Sequence, residues 1–335
     1  MRAMFLTIGA AALLVGVAVT LPNAEASTGP IPLNCNRACL EGLVNQYLTA
    51  LVAHNPAGLP VSKDLVYTEN DQILDLGDGY WKTAEGRGQY SHIFADPEGG
   101  QVAYMGTMKE AGALLLLSFR MRIELGRITA IESVFFKPGG GGPNNIAFMD
   151  TYKPEDYWFK SIPAAQRSTR AELIATADSY FSGLQKNDGK GVNGTNTYQF
   201  TNDCKRIENG SYTAGAPAAA TMPASGIDSN AMDCLAQFKL GYYFVVQSIH
   251  HRRYPVVDQE RGVVWSHAIF DQGTVNKGVL SNGKAFEFKG FNRPSSILVS
   301  EAFLIENLKI RRVEMVGNST PYHTNSPWPG NLSGN

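Results

Sequence analysis

The 335-residue sequence predicts an α+β protein of two similar units, each a helix followed by a curved, mainly antiparallel sheet, paired within one chain as a pseudo-dimer. Two observations carry this. The same landmarks run through the chain twice in the same order, from about Asn34 to Phe136 and from about Thr169 to Val316. Each copy opens on an apolar stripe of helical period and closes on two alternating, strand-like runs.

Residues 1–26 stand apart from that pattern. Arg2 precedes an unbroken small and apolar run from Leu6 to Leu21, and Ala24-Glu25-Ala26 supplies the cleavage pattern of a secretory signal peptide. Its removal leaves 335 − 26 = 309 residues, secreted or periplasmic, with no second stretch apolar enough to span a bilayer. The first unit, residues 27–136, begins with Leu40, Leu43, Tyr47, Leu48 and Leu51 at spacings that share one helix face. The second, residues 169–321, begins with Leu173, Ala177, Tyr180, Phe181 and Leu184, so that Tyr47 matches Tyr180. Polar turns end both helices, Ala53-His54-Asn55-Pro56 and Lys186-Asn187-Asp188-Gly189.

A strand follows in each copy, Val66-Tyr67-Thr68-Glu69-Asn70 and Lys205-Arg206-Ile207-Glu208-Asn209, with a shared Glu-Asn pair. Acidic turns then join two β runs at Asp96-Pro97-Glu98-Gly99-Gly100 and Asp258-Gln259-Glu260-Arg261-Gly262. In the closing hairpins Glu124 and Glu306, like Glu132 and Glu314, are both offset by 182. Residues 137–168 read as a Gly-rich linker whose Tyr152, Tyr157, Trp158 and Phe159 give it surface to pack as a strap. Loops from Ser211 to Asp233 and from Gln272 to Pro294 are long enough to be covers, and 322–335 is an irregular tail.

The opening helix ending in Ala53-His54-Asn55-Pro56, the Tyr67-Thr68-Glu69-Asn70 strand and the Gly126-Arg127-Ile128-Thr129-Ala130-Ile131-Glu132 strand resemble the nuclear transport factor 2-like superfamily. That resemblance implies a cone-shaped fold, shared by ketosteroid isomerase, scytalone dehydratase, limonene epoxide hydrolase and the SnoaL-like cyclases. The tandem is similar to a family of secreted proteins without an agreed activity, through Cys35-Asn36-Arg37-Ala38-Cys39-Leu40, Asp203-Cys204-Lys205-Arg206-Ile207-Glu208-Asn209-Gly210 and Pro321-Tyr322. The resemblance specifies fold and leaves the substrate open.

Composition excludes more than it names. With 29 basic against 30 acidic residues, the net charge of −1 offers no footprint for nucleic acid or an anionic membrane. Four cysteines fit an oxidising compartment, and local Cys35–Cys39 and Cys204–Cys234 disulfides are the simplest of three pairings. No His stands at zinc spacing from either pair, so no metal and no organic cofactor are expected. Sequons at Asn193, Asn209, Asn318 and Asn331 would be glycosylated in a eukaryotic host. There is no G-x-S-x-G, H-E-x-x-H or P-loop, and no Gly-rich stretch has the strand-then-helix setting of a Rossmann fingerprint.

Cone folds hold a pocket between sheet and helices, where a dry environment moves a carboxylate or His pKa toward neutrality for acid–base work. In the first unit Tyr67, Glu69, Trp81, Tyr90 and His92 are candidate ligand contacts. The second adds Arg206, Tyr243 and Trp265, and a denser set around His250, His251, Arg252, Arg253, Asp258, His267 and Asp271. Strict alternation there puts Arg253 and His251 on one side and His250 and Arg252 on the other. The catalytic expectation takes His267 or Asp258 as base, Arg253 as stabiliser of a developing oxyanion and Glu208 as orienting group. The bland alternative makes Arg206, Glu208, Arg253 and Asp258 a buried ion-pair network.

The expected protein is a monomer handling a small molecule. It is either a cofactor-independent lyase, isomerase or cyclase acting on an apolar or aromatic substrate, or a binding module without turnover.

Overall fold

A computed structural model describes residues 35–137, 139, 144–217, 229–241, 243–288 and 293–329. The segment read as a signal peptide, the sequon at Asn331, most of the Gly139–Gly142 run and parts of both long loops lie outside the described residues.

Four helices and fourteen strands are described. They run α1 (Arg37–Val52), β1 (Val61–Glu69), β2 (Gln72–Ile73), β3 (Gly86–Asp96), β4 (Gln101–Glu110), β5 (Ala113–Glu124), β6 (Arg127–Phe136), α2 (Ile146–Thr151) and α3 (Arg170–Leu184), then β7 (Phe200–Glu208), β8 (Ser211–Ala214), α4 (Cys234–Lys239), β9 (Val246–Asp258), β10 (Val263–Gln272), β11 (Lys277–Val279), β12 (Ala285–Glu287), β13 (Ser295–Glu306) and β14 (Lys309–Thr320).

Local chemistry sets the helix starts. Asn36 caps α1 by accepting from the Cys39 N–H, and Thr169 with Glu172 forms a capping box at α3. Each unit then builds a six-stranded sheet, ordered β2-β1-β6-β5-β4-β3 and β8-β7-β14-β13-β10-β9. The two orders are the same topology, with one parallel pair in each, β1 on β6 and β7 on β14, and antiparallel pairing elsewhere. The fold is α+β, two helix-plus-curved-sheet units.

The repeated Glu-Asn pair has a backbone reason. Asn70 and Asn209 both take left-handed conformations (φ 47° each) where β1 and β7 turn. Each side-chain oxygen then accepts from the last strand, Asn70 from the Phe135 N–H at 2.9 Å and Asn209 from the Gly317 N–H at 3.0 Å. Asn holds the turn in both copies.

Both sheets are buried on two faces. One face of each packs on its own helix: Leu40, Val44, Tyr47 and Leu48 of α1 in the first unit, Leu173, Ala177, Tyr180 and Phe181 of α3 in the second. The other faces meet each other through Tyr90, Phe94, Met105, Val134, Val256, Trp265 and Leu298. Trp158, Ile146 and Met149 of the connecting segment enter this shared core, so the linker packs rather than wanders.

Two clasps brace the contact in mirrored fashion. Arg37, at the start of α1, binds Asp258 of the β9–β10 turn through both terminal guanidinium nitrogens (2.6 and 2.9 Å). Arg170, at the start of α3, binds Asp96 of the β3–β4 turn, which also accepts from the Val257 N–H at 2.9 Å. Each unit's turn carboxylate thus reaches the other unit's helix, the isologous form of a two-fold interface.

The disulfides Cys35–Cys39 and Cys204–Cys234 are formed. The second ties β7 to α4 across 30 residues, and both of its sulfurs are buried. Replacing Cys204 and Cys234 with Ser is expected to lower unfolding free energy by about 3 to 4 kcal/mol, read from urea titration.

Candidate functional site

The interior of the second unit, between α3 and the sheet, carries a polar set that the first unit lacks. Along β13, Val299, Phe303 and Ile305 face α3, and Glu301 keeps the same phase. Glu301 is fully buried, and neither carboxyl oxygen has a hydrogen-bond partner among the described residues. Burial first, and the nearby Glu208 second, push its pKa well above the usual carboxylate range, with Arg206 opposing. The neutral acid is therefore the favoured form.

Arg206 of β7 spreads across the same interior. Its guanidinium donates to Thr213 Oγ1 (2.8 Å), Gln237 Oε1 (2.9 Å), the Tyr180 hydroxyl (3.2 Å) and Tyr243, and pairs with Glu208 at 3.2 Å. Glu208 is the more solvent-accessible of the two acids. A buried acid, a guanidinium and a second carboxylate thus lie close together among the aromatic side chains of this interior.

The first unit keeps the Glu208 position as Glu69 and replaces the other two. Offsets of 139 set Tyr67 and Glu69 against Arg206 and Glu208, and an offset of 182 sets Phe119 against Glu301. Tyr67 donates to Glu69 Oε1 at 2.5 Å, and the Tyr80 N–H donates to the same oxygen at 2.8 Å. Burial raises the Glu69 pKa, and these two hydrogen bonds oppose it. Tyr47 packs edge-on to Trp81 (5.4 Å between centroids) and against Phe119 (4.7 Å), and Tyr104 adds a further ring at 5.2 Å from Phe119. Aromatic rings fill this interior.

The structure does not bring the four expected catalytic residues together. His267 and Arg253 lie on the sheet face that meets the first unit, not on the face beneath α3. There Glu132 of β6 receives Arg120 Nε (2.7 Å) and Arg253 (2.9 Å from Nη1), with His267 Nδ1 at 3.6 Å. Burial works against the Glu132 charge, and the surrounding positive groups, Arg253 and Arg120 among them, outweigh it, so its pKa falls below the usual range. Burial pulls His267 down to about 3, too weak a base for proton abstraction near neutrality. Asp258 is engaged by Arg37 at the opposite end of β9, and Glu208 lies in the second interior beside Arg206.

The expected ligand contacts also divide. Tyr67, Glu69 and Trp81 line the first interior, and Arg206 and Tyr243 the second. Tyr90, His92 and Trp265 belong to the interface: Tyr90 donates to Glu314 at 2.5 Å, His92 Nδ1 lies 3.0 Å from the same oxygen, and Trp265 donates to Ser118 at 3.3 Å. Glu132 and Glu314 are thus matched positions, Glu132 reaching β9 and β10 of the second unit and Glu314 reaching β3 of the first.

The expected buried ion-pair network of Arg206, Glu208, Arg253 and Asp258 resolves into three separate clusters. An open surface groove of about 440 Å³ lies near Arg37, Glu41, Pro97 and Glu260, away from either interior.

The residue that the sequence reading missed is Glu301. Its signal was a lone carboxylate in the run Ile297 to Ile305, in phase with Val299 and Phe303.

Residues 166–317, 152 of the 335, match a family described as Domain of unknown function (DUF8021). No curated protein matches the sequence significantly. Among solved structures, the chain is similar to an NTF2-like protein of unknown function from Cytophaga hutchinsonii, with 17% identity over 29% of this chain and 89% of that one, at a TM-score of 0.24.

Proposed function

We propose that the second unit's interior is a small-molecule site for cofactor-independent acid–base chemistry of the lyase, isomerase or cyclase kind. The observation that carries the reading is Glu301, a fully buried carboxyl with two unpartnered oxygens where the first unit has Phe119. An acid kept neutral by burial donates a hydrogen bond to a carbonyl oxygen. As Glu208 takes the proton from the neighbouring carbon, Arg206 and the Glu301 acid share the negative charge of the resulting enolate, and Glu208 then returns the proton. Aromatic walls favour a flat, apolar substrate. Two disulfides support the extracellular or periplasmic setting read from the sequence.

The test is deuterium uptake from D2O into a panel of small cyclic ketones and enones, followed by NMR. Wild type should accelerate exchange for at least one of them, and Glu301→Gln should abolish the acceleration. Exchange unchanged in Glu301→Gln would sink the reading.

The buried acid also leaves a thermodynamic mark. The Glu301 pKa is raised on folding, so above about pH 4.3, where the unfolded carboxyl ionises, the folded state is increasingly penalised. Glu301→Leu is therefore expected to be more stable than wild type, with a gain that grows from pH 5 to pH 8 in thermal melts. A pH-independent difference would mean that Glu301 is ionised in the fold.

A binding module without turnover is the second reading. It is favoured by the saturation of Arg206 with five side-chain partners. A ligand retained by Glu301→Gln without any exchange would select it.

A further inference from the structure

We propose that His250, Asp271 and His323 form a binding site for one divalent first-row transition ion of the zinc class. The three come from β9, β10 and the segment after β14, and they meet beyond the second unit's interior, away from Glu301 and Arg206. One ligand atom from each lies within 4.8 Å of the others.

The geometry is that of ligands rather than of an ordinary ion pair. Asp271 Oδ2 is 3.2 Å from His250 Nε2 and 3.1 Å from His323 Nδ1. Yet neither Oδ2 nor His250 Nε2 has an aligned hydrogen-bond partner, although Asp271 is completely buried. Ligands 2.0–2.1 Å from a tetrahedral metal are separated by edges of about 3.3 Å, and their lone pairs point at the ion instead of at one another. The two carboxylate–imidazole spacings match such edges, and the two imidazole nitrogens lie within 4.8 Å of each other.

The supporting contacts leave the same three atoms free. Ser296 Oγ donates to Asp271 Oδ1 at 2.5 Å, so Oδ2 alone faces the imidazoles. The His323 N–H donates to that Ser296 hydroxyl at 3.0 Å, which seats the segment carrying His323 against the carboxylate. His250 Nδ1 lies 2.6 Å from His251 Nδ1, and a donated proton there makes Nε2 the lone-pair nitrogen of His250. Outer hydrogen bonds of this kind fix the tautomer of a metal-ligating His.

His251 adopts φ 50° at the point where β9 bulges, and this break in the alternation carries His250 to the Asp271 side. The His323 side chain is 67% exposed, so water can complete the coordination. Imidazole with carboxylate suits zinc, cobalt, nickel or ferrous iron over calcium or magnesium. The cysteine spacings could not signal this site, because its ligands lie 21 and 52 residues apart in sequence.

The experiment is titration of metal-stripped, tag-free full chain with Zn²⁺ by calorimetry and with Co²⁺ by visible absorption, at pH 7.5. Wild type should bind one equivalent and give the d–d bands of a low-coordinate cobalt site. His323→Ala removes an exposed side chain that the fold does not need, and it should weaken binding by at least tenfold, as should His250→Ala. His54→Ala, a distant histidine, should bind as wild type does. Lack of saturable binding by wild type, or equal affinity in wild type and His323→Ala, overturns the site.

Discussion

Replacing Glu132 with Gln is expected to cost about 3 to 5 kcal/mol of folding stability, although the side chain keeps its shape. Glu132 is fully enclosed between the two sheets and is the carboxylate shared by Arg120 and Arg253. An amide there leaves two buried guanidiniums facing each other without a counter-charge. The Nε of Arg253 already lacks a partner, so the cluster has little slack. The change should appear as a shifted urea midpoint with nearly the same slope. A midpoint within experimental error of wild type would mean that water reaches the cluster and screens it. The same logic moves Arg253 from ligand chemistry to the bracing of the two sheets.

Acid should weaken the protein through His267, beginning near neutrality. Burial holds the folded imidazole down to about 3, whereas an unfolded His titrates at about 6.5. Between those values the unfolded state binds a proton that the folded state refuses. Stability therefore falls as pH falls through this window, by up to about tenfold in the folding constant per pH unit. Glu132 acts in the same direction but lower, since its depressed pKa contributes stability that is complete above about pH 4.3 and drains away below it. His267→Gln should remove the upper part of the acid slope and leave the lower part. Identical slopes between pH 6.5 and 4.5 in the two proteins would show that His267 charges within the fold.

The fold was legible because repetition is robust to local error. Glu124 with Glu306 and Glu132 with Glu314 fall on corresponding positions of the β5–β6 and β13–β14 hairpins, as their offset of 182 implies. The site was less legible, and β10 shows why. Every position from Val263 to Gln272 is buried, so period-two alternation sorts residues into two faces without saying which face meets a helix and which meets the other sheet.

His267 and Trp265 looked like pocket residues and are interface residues. The bulge in β9 added a second error, because Arg253 pairs with His267 and His250 with Ile269. His250 therefore shares a face with Arg253, which alternation had given to His251. Glu301 was hidden by the same two-sided burial, a charge among apolar neighbours whose inward phase only the sheet partners reveal.

The mirrored clasps and the matched glutamates also bear on the order in which the chain is made. The first sheet is complete once residue 136 has emerged, but Asp258, Arg253 and Glu314, which engage Arg37, Glu132 and Tyr90, follow more than a hundred residues later. Until then the first sheet presents Tyr90, Phe94, Met105 and Val134 to solvent as one apolar face. A half-synthesised chain of this design is a sticky object, and its second half serves it as a built-in chaperone.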